Sequence, residues 1–217
     1  LLMQTHVNET RDEVIAASEL FPNAKDYLDI YDSFGLLRDR SIFAHGIYTT
    51  DSELDRWASS GASVVHCPTS NTFLGSGLFE RDKYLASDIN VSLGSDVGGG
   101  YSFNPFVTMA EAYKIAQLKG SIADPIELIY SHTLAGAYAM HQEDFVGSLE
   151  VGKWADFCLI DISKDDRSIE IWEKRETIRD RLFALMFTLP ESSINVQETY
   201  VGGIRRWKDN IETKFNH

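Results

Sequence analysis

Across residues 1–120 a short apolar run is followed by a longer stretch of helical periodicity, and this order recurs four times. That alternation is the pattern of βα units on a parallel sheet, since parallel neighbours need a long crossover and a helix is the usual one. The predicted strands are Leu1–Thr5, Ser41–Ala44, Ala62–His66 and Asn90–Leu93. Helices are predicted over Arg11–Leu20 and over Lys25–Phe34, where Tyr27, Leu28, Tyr31 and Phe34 share a face and Gly35 supplies the stop. Thr50-Asp51-Ser52-Glu53 has the order of a capping box, so the next helix runs from there to Gly61. Pro68–Gly77 is rich in Ser, Thr, Asn and Gly and reads as a loop, ahead of a helix near Phe79–Ser87. Pro105 opens a helix reaching Lys119, and Asp124-Pro125 opens another over Ile126–Met140.

Beyond Gly147 the pattern changes. Gly147–Leu149, Trp154–Ile160 and Thr199–Trp207, the last with Gly202-Gly203 at its centre, read as strands and a hairpin. The chain therefore divides into an α/β portion, residues 1–146, and a β-rich portion, residues 147–217. Twenty Lys and Arg against 33 Asp and Glu leave a formal net charge of −13, which argues against nucleic acid and anionic membrane as partners, since both need a basic patch. Two cysteines, Cys67 and Cys158, are too few for a disulfide framework and lack zinc-finger spacing, so a reducing cytoplasm is the expected location. No apolar stretch approaches the roughly 20 residues of a membrane helix. Leu1–His6 lacks the basic and apolar regions of a signal peptide and opens mid-strand, as expected of a piece of a longer chain.

In parallel βα architectures the reactive side chains gather at the C-terminal ends of the strands. That rule selects His6, His45, His66 and Asp96, one at each of four successive strand ends. Neutral imidazole and carboxylate are donors that catalytic zinc accepts, and their convergence on one mouth is the signal. For His66 alone a satisfied core histidine is the better reading. His132 and His141, in and after a helix, read as packing or capping residues, and His217 is uninformative. Glu9 follows His6 by three residues and can reach back toward whatever His6 holds, as the general acid/base of metal-assisted hydrolysis does. Gly98-Gly99-Gly100 lacks the Lys and Ser/Thr of a phosphate loop and reads as backbone passing close to a planar ligand.

Gln4-Thr5-His6-Val7-Asn8-Glu9, Phe43-Ala44-His45-Gly46, His66-Cys67-Pro68-Thr69-Ser70-Asn71 and Gly94-Ser95-Asp96-Val97-Gly98-Gly99-Gly100 together resemble the amidohydrolase superfamily. Gly75-Ser76-Gly77-Leu78-Phe79 and the glycine run after Asp96 resemble its guanine deaminase branch in particular. The likeness continues through Thr133–Ala137, Gly147–Phe157 and Thr199–Gly203.

The resemblance implies an α/β fold comprising the C-terminal half of a (β/α)8 TIM-like barrel, its last four βα units, plus part of a small β-sandwich domain. It implies that His6 and Asp96 are metal ligands, and that Glu9 carries protons between the attacking water and the purine ring. By the same resemblance His45 contacts that water or the tetrahedral centre, Asp96 helps deprotonate the water, and His6, Val7, Asn8, Glu9 and Asp96 face the substrate. The implied reaction is zinc-dependent hydrolysis of guanine to xanthine and ammonia, in purine catabolism. The sequence departs from the family in having no His-x-His pair, which supplies two further zinc ligands there, and no purine-reading Gln or Arg-Phe dipeptide upstream. The expected partners are therefore guanine, the missing N-terminal half and a second copy in a homodimer, and the chain alone is expected to be inactive. The rival readings are another deaminase or a chlorohydrolase of the superfamily, acting on cytosine, 8-oxoguanine or an adenosine-type substrate, and a non-catalytic scaffold.

Overall fold

The computed structural model describes residues 1–162, 166–189 and 194–209. Two compact units are present, Leu1–Glu143 and the chain from Asp144 onward.

In the first unit β1 (Met3–Val7), β2 (Ser41–His45), β3 (Ser63–His66) and β4 (Val91–Leu93) form a parallel sheet in sequential order. Met3 pairs with Ser41, Ile42 with Ser63 and Val64 with Val91. All five residues of β2 are buried, as in a parallel strand covered on both faces. The first strand lies two residues later than Leu1–Thr5, because the Met3 amide, donating to the Arg40 carbonyl at 2.9 Å, starts the pairing and leaves Leu1 and Leu2 exposed. His6 is consequently the penultimate residue of the strand rather than the residue after it.

The crossovers are short helices. α1 (Arg11–Leu20) starts at a capping box of Thr10 and Glu13, α2 (Tyr27–Ser33) is capped by the Asp26 carboxylate, and α3 (Asp51–Ser60) carries the expected Thr50–Glu53 box. Pro68–Leu74, expected as loop, is a helix, α4. Its Ser, Thr and Asn are weak helix formers, but Pro68 pre-sets the first turn, Gly75 takes the left-handed cap, and burial of Thr69, Ser70 and Asn71 overrides propensity. α5 (Arg81–Ala86) and α6 (Pro105–Leu118) follow the expected positions, each trimmed at its ends. The single helix expected over Ile126–Met140 is two, α7 (Pro125–His132) and α8 (Leu134–Ala139), broken where Thr133 leaves helical geometry at φ −124°, ψ −88°.

Val7, Leu28, Phe43, Leu54, Trp57, Val64, Phe79, Tyr84 and Val91 form one buried cluster between sheet and helices. Aromatic rings run through it in unbroken contact: Tyr31 on Phe43 (5.4 Å), Phe43 on Trp57 (5.3 Å), Trp57 on Tyr84 (5.5 Å), Tyr84 on Phe79 (4.8 Å) and Phe79 on His66 (4.5 Å). Each such pair adds about 1 kcal/mol to the area it buries. The chain of rings ends directly behind the C-terminal end of β3, so the core braces the strand ends that carry the candidate site.

The second unit contains an antiparallel sheet of β5 (Phe157–Asp161), β6 (Asn195–Val201) and β7 (Ile204–Lys208), in that order. Gly202 and Gly203, at φ 58° and 74°, make the two-residue hairpin turn, which needs left-handed backbone at both positions. Three sequence expectations fail here. Gly147–Leu149 is not a strand, and β5 begins three residues after Trp154. The segment between β5 and β6 is not purely β but holds α9 (Asp166–Glu173), α10 (Ile178–Phe183) and a wide helical turn over Ala184–Thr188, whose apolar residues fall at helical spacing among charges. His217 lies outside the described residues. Among the described residues no helix is long and apolar enough to cross a membrane.

Candidate active site

His6, His45, His66 and Asp96 stand at or just beyond the C-terminal ends of β1, β2, β3 and β4. Two overlapping groups have their donor atoms within 4.8 Å of one another: His6, Glu9 and His45, and His45, Cys67 and Asp96. His45 is the member common to both. The backbone turns at these strand ends through conformations that side chains seldom adopt, with φ of 54° at Asn8, 74° at His45 and 47° at Asp96. Left-handed backbone at a residue with a Cβ costs about 1–2 kcal/mol, and three such turns around one mouth mark where the fold spends stability to aim side chains.

His45 is buried completely and fixed on three sides. Its Nδ1 is 2.9 Å from the Asn71 side-chain amide, its ring meets the His6 ring edge-on at 4.9 Å, and its Nε2 faces Glu9 Oε2 at 3.6 Å. Nε2 has no hydrogen-bond partner within the protein. Burial holds the imidazole pKa below its ordinary value, against the upward pull of the Glu9 carboxylate, so the ring is neutral at pH 7. Glu9 is steadied from its other oxygen, which accepts the Ser76 hydroxyl at 3.0 Å, and the Ser76 carbonyl accepts the Tyr48 hydroxyl at 2.6 Å.

Asn8 is buried, and its amide donates to Glu53 Oε1 at 3.1 Å and Thr49 Oγ1 at 3.3 Å. Glu53 also accepts from the Leu28 and Thr50 amides, so one buried carboxylate ties α2, α3 and the turn that presents Glu9. Val7 belongs to the core cluster. The Val7 and Asn8 carbonyls accept the amides of Gly46 and Tyr48, both at 3.0 Å. The side chains and carbonyls of these two residues are thus already engaged within the fold.

Asp96 is half-buried beneath the glycine run. The Gly100 amide returns to the Asp96 carbonyl, and a Cβ on Gly100 would lie 1.9 Å from the Ser95 carbonyl oxygen. A Cβ on Gly99 would lie 2.7 Å from Ser70 Oγ and 3.0 Å from Asp96 Oδ2. These glycines are therefore required by close backbone approach to α4 and to Asp96 itself.

His66 is buried, stacked on Phe79 with an interplanar angle of 19°, and its pKa is pushed down to about 3 by burial. Burial likewise pushes the Cys67 thiol up to about 12, which keeps it protonated and unreactive at neutral pH. His132 hydrogen-bonds the Leu93 backbone and is held neutral by burial, and His141 Nε2 donates to the Asp39 carbonyl at 2.9 Å. The residues that sequence reasoning left without a role are Asn71 and Ser76. The signal for both was Pro68 followed seven residues later by Gly75, a start and stop two helical turns apart, which would have put Asn71 one turn into a helix instead of on a loop.

The chain is similar to known proteins over nearly its whole length. Guanine deaminase of Escherichia coli (strain K12) is 35% identical to the chain over 201 residues, covering 93% of the chain and 45% of that protein. The solved structure of E. coli guanine deaminase superposes with a TM-score of 0.91 at 34% identity, over 96% of this chain and 48% of that one. Guanine deaminase from C. acetobutylicum, solved with guanine bound in its active site, gives 0.82 at 28% identity over 94% and 48%. An adenosine deaminase from Xanthomonas campestris with bound zinc gives 0.82 at 25% over 98% and 48%. The chain spans about half the length of the curated relatives it matches. Residues 1–204 match the amidohydrolase family, and with these strand ends on this sheet the chain belongs to that family.

Proposed function

We propose that the protein carrying this chain hydrolyses guanine to xanthine and ammonia, in purine catabolism in the cytoplasm, with one zinc ion in the mouth above β1 to β4. The observation that carries the reading is the convergence of His6, Glu9, His45 and Asp96 on one set of strand ends. The donors fit zinc: imidazole from His6 and carboxylate from Asp96, each grouped with His45, whose buried Nε2 has no hydrogen-bond partner within the protein and so faces the mouth free to hold an oxygen there. When bound, zinc supplies a Lewis acid that makes water nucleophilic at neutral pH.

His6 and Asp96 would hold the metal, each having its donor atom within 4.8 Å of a His45 nitrogen. Glu9, anchored by Ser76 on one oxygen, uses the other to take one proton from the attacking water and deliver it to a ring nitrogen, and then carries the water's second proton, released from the hydroxyl now on the attacked carbon as the C–N bond breaks, to the departing amine. His45 orients the oxygen that attacks, and Asp96 assists in removing its proton. Val7 and Asn8, whose side chains are taken up within the fold, shape the purine's side of the mouth from behind His6 and Glu9 in this reading, with Asn8 holding the Glu9 turn in place through Glu53.

Catalytic zinc takes about three protein ligands, so residues outside this chain complete the site and the chain alone is inactive. Residues 1–146 are then the last four βα units of a TIM-like barrel, residues 147–217 the C-terminal part of a small β domain, and the full protein a homodimer. The likeness to an adenosine deaminase makes an adenosine-type substrate the second reading.

The test is ammonia release by the full-length protein from guanine, cytosine, adenosine and 8-oxoguanine in parallel. Guanine is expected to be preferred, with Glu9→Gln lowering kcat by about a thousandfold. Preference for another base overturns the substrate, and full activity of the Glu9→Gln enzyme overturns the mechanism.

A further inference from the structure

His45 belongs to both donor groups in the mouth, yet its two nitrogens have different neighbours. Asn71, buried completely on α4, presents its side-chain NH2 to Nδ1 at 2.9 Å. An amide NH2 can only donate, so Nδ1 is the acceptor and the ring proton sits on Nε2. The opposite end of the ring agrees independently. Nε2 faces the Glu9 carboxylate at 3.6 Å, where an N–H is attracted and a lone pair would be repelled. Neither argument depends on the other, since Asn71 and Glu9 come from different elements and act on different atoms.

We propose that Asn71 is a positioning residue that fixes His45 as the Nε2–H tautomer, making His45 a hydrogen-bond donor in the mouth and excluding it from the metal's ligands. The inference rests on the reading of this mouth as a hydrolytic zinc site. It also explains the helix where a loop is expected: α4 is buried and capped, and so holds the amide rigidly against the ring. With the proton on Nε2, this chain's ligands are His6 and Asp96 alone. His45 is left to hold an oxygen as charge develops on it, which is the task of a fixed N–H in a dry site.

The experiment is 15N NMR of the zinc-loaded full-length protein labelled in histidine, with the His45 signals assigned by their loss in His45→Gln. The expected result is a proton on Nε2 and a bare, acceptor Nδ1. Asn71→Asp replaces the donor by an acceptor and is expected to move the proton to Nδ1 and to lower kcat by about 10- to 100-fold, with KM changed less than about threefold. A purely structural role would lower stability without moving the ring proton. A proton on Nδ1 in the unmodified protein, or a ring protonated at both nitrogens, overturns the proposal whether or not the variant folds. Unchanged kcat in a folded Asn71→Asp enzyme overturns it as well. Failure of the unmodified enzyme to turn over guanine counts against the substrate alone, because the tautomer is read in the resting protein.

Discussion

His66 shows how a single buried side chain couples to the solvent. Its ring is sealed behind Phe79 and its pKa is pushed down to about 3, so in the folded chain it stays neutral while in the unfolded chain it titrates normally. Protons therefore bind the unfolded state preferentially below the ordinary histidine value of about 6.5, and stability is complete above that value and falls as the pH drops toward the folded-state value. Between about pH 7 and about pH 5 this one group is expected to remove about 2 kcal/mol. His45 and His132 are displaced the same way by burial and add to the slope. Urea titrations of the full-length protein and of its His66→Phe variant across that range isolate the His66 share: the variant keeps the ring stack and should lose the corresponding part of the acid dependence. A variant as acid-sensitive as the original would mean that the imidazole is protonated in the folded state.

Two glycines flanking one turn separate backbone strain from steric exclusion at the scale of the element. Gly75 closes α4 in left-handed backbone with open space around its missing side chain, whereas Gly77, at φ 147°, would place a Cβ 2.6 Å from Ile47 Cγ2. Gly75→Ala should therefore cost only the left-handed penalty of about 1 kcal/mol. Gly77→Ala adds a collision with the segment after β2 and should cost about 3 kcal/mol, with the Ser76 contact to Glu9 disturbed. Urea midpoints give both values, and equal midpoints would show that the loop yields freely. The position of α4 in the chain was legible from Pro68 and Gly75, but its helical state was masked by Ser, Thr and Asn, which favour turns until burial and packing remove that alternative.

At the scale of the whole molecule the parallel sheet has two strands, β1 and β4, with a single neighbour each among the described residues. Their unpaired edges, together with exposed Leu1, Phe34, Phe73 and Phe103, are surfaces that invite pairing. On the proposed reading, in which the chain is half of a deaminase barrel, the chain expressed alone is expected to self-associate on size-exclusion chromatography and to show no deaminase activity, while co-expression with the proposed other half should yield a stoichiometric complex. A well-behaved monomer of the lone chain would mean that these edges are protected without a partner.

The alternation of apolar runs and helical periods determined the parallel sheet and put His6, His45, His66 and Asp96 at or just beyond its strand ends, because side-chain period and crossover length are local properties. The hairpin at Gly202-Gly203 was legible for the same reason, since left-handed backbone is a demand on two adjacent residues. The start of β1 at Met3, the break at Thr133, the helices between β5 and β6, and the pairing of Asn71 with His45 were decided only by tertiary structure. Each depends on which distant group arrives to satisfy a hydrogen bond or cover an apolar face, and a contact across 26 residues of chain leaves no periodic trace in the sequence.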